Sequence, residues 1–301
     1  MRAVIQSVRQ SKRFAVLGLL LGAVMISFSG VWVKVSQVSP VTSAFYRVLI
    51  GAMILLPAAL YRAEIKWQGQ RYLLLCLLCA LLFSLDLSLY HYSIHFIGPG
   101  LATILPNLEV IILAAVGFFF LHEKINLPFI FSVPLALGGL FLIVGFEWAH
   151  LGRLYKIGVY CGLIAAFCYA GFLLTLRAVQ SNPGGGLFFS TLMLVSFITA
   201  AFLGMEVHLT GGGFKIPDLK SLLALAALGL FSQALGWILI TNALPLLRAS
   251  LSGLILLLQP ALAFVWDVLF FKRPTGLLNW LGVFLVLAAI YLGTAKTANA
   301  E

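Results

Sequence analysis

The fold predicted by this 301-residue sequence is an all-α integral membrane protein, with ten transmembrane helices arranged as two inverted five-helix repeats. Three observations lead there. The chain is 62% hydrophobic and 9% charged, where soluble domains carry roughly 25% charged residues, and its mean hydropathy is +1.09. Its apolar residues gather into ten runs, each near the about 20 residues a spanning helix needs. Finally, the stretch 93–124 lies over 243–274 when the sequence is slid by 150 residues.

The first span, 14–34, follows a basic segment with Arg2, Arg9, Lys12 and Arg13. It has the charge and apolar core of a signal peptide, but it is too long and no small-x-small cleavage site follows. It is therefore expected to stay as a helix, with Gly18 and Gly22 (a GxxxG pair) permitting close helix contact. Spans two to five cover 41–61, 72–95, 99–121 and 127–146; spans six to ten cover 156–177, 187–205, 219–241, 246–271 and 276–295. Breakers such as "SQVSP", "FIGPG", "HEKINLP", "QSNPGGG" and "KRPTG" separate them. The two repeats then occupy 14–146 and 156–295.

Ten spans put both termini on one side. With that side cytoplasmic, the inner loops and termini hold 11 Lys and Arg against 6 outside. The bias is 8 to 0 in the first half and 3 to 6 in the second. Because the first helices usually set orientation, both termini are expected in the cytoplasm of a bacterial-type cell (inner) membrane, with 147–156 external. Loss of bias halfway suggests two halves of opposite orientation. Under the 150-residue slide Glu109 falls on Gln259, Val110 on Pro260 and Glu123 on Arg273. Five helices per half is odd, so the second half must be inverted, the architecture of secondary transporters with sites near mid-membrane.

Composition also excludes function classes. The net charge is +10, yet the basic residues form no dense cluster beyond the first thirteen residues, so no nucleic-acid partner is expected. Cys76, Cys79, Cys161 and Cys168 all lie in apolar runs, and the Cys76-x-x-Cys79 pair has no His or carboxylate in helical reach to complete a metal site. They read as small buried apolar residues. No metal or cofactor is expected. The sequence holds no Walker A loop, so ATP does not drive it directly. It also lacks H-E-x-x-H and G-x-S-x-G, which weighs against the alternative of an intramembrane enzyme; a non-transporting sensor or scaffold is a further alternative.

Several stretches carry a family likeness. "FSGVWVKV" at 28–35, "AFYRVLIGA" at 44–52, "ATILPNLEVIILAAVGFFFLHEKI" at 102–125 and "GGLFLIVG" at 138–145 resemble, in order and spacing, motifs of the EamA-type branch of the drug/metabolite transporter superfamily. The likeness covers roughly 17–145 and 157–294. It implies ten helices, an inverted repeat and transport of small organic solutes, often amino acids or other metabolites moved outward. The second copy departs from the pattern, with Arg273 in place of the glutamate and no arginine near 190.

Polar residues inside the spans are the candidate substrate-binding residues, because ionisable groups in hydrocarbon are costly and functional by default. Thr103 and Asn107 share a face of the fourth span. Glu109 lies about 200° from Asn107 and roughly 15 Å below Pro99. Either Pro106 bends the helix so both face the centre, or Asn107 faces a cavity while Glu109 packs on a neighbour. Glu109 is read as a partner for a substrate amine or as a proton carrier. In the third span Asp86, Tyr90 and Ser93 form one stripe, opposed by Ser84, Ser88, His91 and His95. Arg47 either pairs with Asp86 or binds a substrate carboxylate. In the second half Gln233, Trp237 and Thr241 share a face, as do Ser252, Gln259 and Trp266, with Asp267 beside them. Trp32 and Tyr169 come from the matching first helices of the halves. A central cavity is expected between the fourth and ninth spans, with Asn107 and Gln259 facing it. The expected partners are a small-molecule substrate and the lipid bilayer; the sequence does not set an oligomeric state.

Overall fold

A computed structural model describes residues 2–123, 126–144, 153–181 and 187–295. It is all helical, with no strand among the described residues. The helices are α1 (Arg2–Ser27), α2 (Ser29–Ser36), α3 (Pro40–Tyr61), α4 (Gln70–Ile104), α5 (Glu109–Phe119), α6 (Leu127–Val144), α7 (Arg153–Gln180), α8 (Phe188–Leu209), α9 (Leu219–Ala227), α10 (Trp237–Ala243), α11 (Ala249–Leu256), α12 (Leu258–Phe271) and α13 (Leu277–Ala295). A π-helical segment, Leu228–Gly236, joins α9 to α10, and 3-10 turns lie at Pro106–Leu108 and Leu244–Leu246.

Eight helical stretches among the described residues are long and apolar enough to cross a membrane: Lys12–Ser36, Pro40–Tyr61, Gln70–Ile97, Arg153–Gln180, Phe188–Leu209, Leu219–Leu246, Ala249–Phe271 and Leu277–Thr294. Each overlaps an expected span. The expected fourth and fifth spans correspond to the shorter apolar helices Pro106–Phe119 and Leu127–Ile143. The fourth is short because Pro106 offers no N–H and starts a 3-10 turn, so helical bonding begins anew at Glu109. Large apolar side chains such as Phe14, Phe131 and Phe167 are exposed, as a lipid-facing surface requires.

The expected break at "FIGPG" interrupts the direction of the chain but not its helical backbone, which is continuous through Gln70–Ile104. Gly162 shows the reversal. A Cβ added there would meet both Leu105, at 2.6 Å, and Ser93 Oγ, at 3.0 Å. In a straight helix those two residues would sit about 18 Å apart, so the chain doubles back between them and the 3-10 turn Pro106–Leu108 returns beside α4.

The ends are fixed by hydrogen bonds that free N–H and C=O groups demand. Ser39 Oγ accepts from Thr42 N–H at 3.2 Å beside Pro40 and opens α3. Asp218 Oδ1 accepts from Ser221 N–H at 2.7 Å and caps α9, a bond that holds this carboxyl below the usual carboxylate range. His122 and Lys272 both take positive φ, 52° each, just past α5 and α12. In both turns the next N–H reaches back six residues, Glu123 to Gly117 O at 2.8 Å and Arg273 to Asp267 O at 3.4 Å.

In packing, α4 lies along α7, α3 along α8 and the π segment, α1 along α10 and the π segment, α5 against α11, and α6 along α13. Close approach depends on glycine. A Cβ on Gly22 would lie 2.7 Å from Ile240 Cγ1 and 2.8 Å from Gly236 O, so the GxxxG expectation for close helix contact holds at this position. A Cβ on Gly51 would lie 2.4 Å from Gln233 Cγ. The cysteines are all free thiols; Cys76, Cys79 and Cys168 are buried, as read from their apolar runs, and Cys161 is half-buried.

Candidate functional site

The interior of the bundle holds a polar cluster drawn from seven of the described helical segments. From α3, Arg47 Nε donates to Gln233 Oε1 in the π segment at 3.2 Å, and Gln233 Nε2 donates to Ser196 Oγ in α8 at 3.0 Å. Gln233 and Ser196 are buried. The π segment matters because one wide turn rotates side chains away from α-helical register, and such segments recur at functional sites. Gln233 therefore points to α3 and α8, whereas Trp237 packs on Phe172 (ring centroids 4.9 Å apart) and Phe83 (5.8 Å), on α7 and α4. The single face expected for Gln233, Trp237 and Thr241 is thus split, although all three are buried.

Across from Arg47, Asp86 on α4 and Glu109 at the first turn of α5 lie within electrostatic reach of each other. Both are buried, Glu109 at 1% exposure. Neither oxygen of the Glu109 carboxyl makes a hydrogen bond. The first-turn N–H groups of Glu109 and Val110 are nearby without bonding geometry. Glu109 follows the 3-10 turn, and its neighbours are Asp86 of α4 and Tyr169 of α7. Tyr169 of α7 lies near Glu109, Asp86, Arg47 and Gln259 of α12. Arg47 and Asp86 interact across this space but form no direct ion pair; the ion pairs among the described residues are Lys34–Asp267, Arg177–Glu123 and Arg273–Asp267.

Other expectations fare differently. Trp32 stacks on Phe231 at 6.4 Å, and its Nε1 is buried without a partner. Asn107 is half-buried in the 3-10 turn and has an interaction partner. The side chain of Thr103 lies outside the described residues. Tyr90 packs beside His91, ring centroids 5.8 Å apart. The face proposed for Ser252, Gln259 and Trp266 is broken, because the helix is interrupted at Leu257, three residues before Pro260. Trp266 turns instead to α1, donating to Ser27 Oγ at 2.8 Å and stacking on Phe28 at 4.3 Å.

The sequence reading missed several polar contacts. Ser196 gives Gln233 its second partner. Glu206, near the end of α8, accepts a hydrogen bond from Ser88 of α4. Two acids close helix ends over long sequence distances: Glu64 accepts from Phe189 N–H (2.9 Å) and Ser190 N–H (3.0 Å), and Glu123 accepts from Ala249 N–H (2.6 Å) and Ser250 Oγ (2.6 Å). The signal available was the electrostatic preference of helix N-termini for carboxylates, but sequence alone did not pair loop acids with particular helices.

The sequence profile of the EamA-like transporter family matches residues 13–145 and again 156–294. An "Uncharacterized transporter" of Clostridium kluyveri is 26% identical over 264 residues, covering 83% of this chain and 83% of its own. "Uncharacterized transporter YxxF" of Bacillus subtilis is 22% identical over 289 residues, covering 94% of this chain and 90% of its own. A solved crystal structure superposes with a TM-score of 0.77 at 15% identity, covering 95% of this chain and 98% of that one, and so shares the fold. A helical bundle with a lipid-facing apolar surface, a buried polar cluster and two matches to one family profile leads to one conclusion: this chain is a multi-pass membrane protein of the EamA-like transporter family.

Proposed function

We propose that the protein is a secondary transporter that exports small organic metabolites, such as amino acids or related amphipathic compounds, across a bacterial inner membrane by alternating access. The observation that carries this reading is the convergence of Arg47, Asp86 and Glu109 from the first half with Tyr169, Gln233 and Gln259 from the second. A zwitterion needs an anion-binding and a cation-binding group in one desolvated place, and the guanidinium and two carboxyls supply both. Trp237, Phe83 and Phe172 offer an apolar wall beside them.

In this reading the spans number ten, as two inverted five-helix repeats over 14–146 and 156–295, with both termini cytoplasmic. Packing supports the repeat. The contact of α4 with α7 is matched by that of α1 with α10 and the π segment, and that of α3 with the π segment is matched by α8 with α4. The paired turns at His122 and Lys272, 150 positions apart, add local support. Solute counterflow in proteoliposomes, run with a panel of amino acids and amphipathic metabolites, tests the function. Saturable counterflow of at least one compound is expected; none across the panel would contradict transport and favour a sensor or scaffold.

A further inference from the structure

We propose that the Glu123 carboxylate is a latch between the two halves matched by the family profile, holding one end of the bundle shut until its bonds break. That this end is the cytoplasmic gate rests on the transporter reading; the latch itself does not. Helix starts in this chain are capped in two ways. α3 and α9 carry their own caps, Ser39 Oγ taking the N–H of Thr42 and Asp218 Oδ1 that of Ser221. α8 and α11 follow Leu187 and Arg248, and neither residue supplies a side-chain cap. Their first N–H groups, which need acceptors, go instead to Glu64 and Glu123. Both acids lie within residues 13–145, and all of these partners lie within 156–294.

The two ties differ in what they join. α3 and α8 are bonded at both ends, since Thr42 Oγ1 also donates to Gly213 O at 3.1 Å, beyond the far end of α8. Glu123 instead draws three helices together at one end. It accepts from Ala249 N–H at 2.6 Å, Ser250 N–H at 3.2 Å and Ser250 Oγ at 2.6 Å, all at the start of α11. It also accepts from Arg177 Nη1 at 3.3 Å, in the last turn of α7. Gly117 makes room for it in α5, where a Cβ would lie 2.5 Å from Glu123 Oε2. The carboxylate is buried, its charge is balanced by Arg177, and such charge-assisted bonds are the strong ones.

The corresponding turn at the opposite end cannot do the same. Residue 273, 150 positions on, makes the same backbone turn but is arginine, which has donors and no acceptor. Arg273 meets Asp267, 3.6 Å away in the helix before it, and Asp267 meets Lys34 of the first half. That lysine is 52% exposed, and an exposed pair holds weakly. One end is thus fastened by a buried carboxylate and the other by a solvated pair. Breaking the Glu123 bonds frees α11 from α5 and α7 at the fastened end.

Thiol labelling of the full chain in detergent tests the latch, in a background lacking the four native cysteines. Ser252→Cys, buried one turn past the latch, reports on the fastened end; Ser43→Cys, buried at the start of α3, reports on the opposite end. Adding Glu123→Gln should raise labelling at Ser252→Cys at least about tenfold, the size of losing one charge-assisted bond. Labelling at Ser43→Cys should not rise. Arg248→Ser, added to Glu123→Gln, gives α11 a cap of its own, yet labelling at Ser252→Cys should stay high because that cap does not rejoin the halves. Three results would each overturn the latch: unchanged labelling at Ser252→Cys, an equal rise at both probes, or a return to the rate seen with Glu123 once Arg248→Ser is added. Failed wild-type counterflow with labelling as stated would refute transport and leave the latch standing. Saturable wild-type counterflow with labelling unmoved by Glu123→Gln would refute the latch alone.

Discussion

Arg47 Nε and Gln233 Oε1 are joined by a 3.2 Å hydrogen bond between helices 186 residues apart in sequence. That bond ties α3 to the π segment Leu228–Gly236, and Ser196 completes it from α8. Replacing Gln233 by Leu keeps the volume and removes both bonds. It leaves Arg47 and Ser196 without their partner, a loss of about 1.5–3 kcal/mol where a charged group is involved. Counterflow by Gln233→Leu should fall at least about tenfold, since roughly 1.4 kcal/mol is a factor of ten; wild-type counterflow would show that the bond is incidental.

Gly51 sets the distance at which that bond forms. A Cβ there would come within 2.4 Å of Gln233 Cγ and 2.6 Å of its Cβ. Gly51→Val should therefore lower thermal stability in detergent by the about 1–3 kcal/mol typical of overpacking, and weaken counterflow more than Gly138→Val, where nothing lies within 4 Å. Equal behaviour of the two variants would contradict the close approach.

Glu123 holds the start of α11 through Ala249 N–H and the Ser250 hydroxyl, and Arg177 Nη1 meets it at 3.3 Å. Its side chain is 5% exposed. Glu123→Ala should cost roughly 3–5 kcal/mol, as breaking a buried pair does, read as a lower midpoint of thermal unfolding. A double variant with Arg177→Ala should lose less than the sum of the two single losses.

The spans were legible because bilayer thickness imposes a length on apolar runs, and that signal survives without any knowledge of packing. Lys12–Ser36 and Pro40–Tyr61 match the expected 14–34 and 41–61 closely for this reason. The site was legible as residue types: Arg47, Asp86, Glu109 and Gln233 stand out in hydrocarbon. Their partners were not. Direction around a helix was read from a 3.6-residue period, and that period fails at Leu228–Gly236, where π-helical turns intervene, and at Leu257, ahead of Pro260. Ser196 left no trace, since a serine in an apolar helix commonly bonds its own backbone. Glu64 and Glu123 sat in loops, where an acid's target depends on which helix starts beside it.

The topology is open to a direct check. Single cysteines at Gln68 and Lys215, both exposed loop positions, in a background lacking the four native cysteines, should label from opposite faces of the membrane. An impermeant thiol reagent outside should modify Lys215→Cys and spare Gln68→Cys. The reverse pattern would invert the orientation, and labelling of both would refute the span count between them.

The most direct test of the central claim, that solute passes through the cluster between the two halves, is counterflow in proteoliposomes by Asn107→Trp and Gln259→Trp beside the wild type. Both positions adjoin a proline near a helix break, Pro106 and Pro260, and Gln259 lies near Tyr169. The account predicts saturable counterflow by the wild type and a block in both variants, with expression and unfolding midpoint preserved. Undiminished counterflow in both would contradict it.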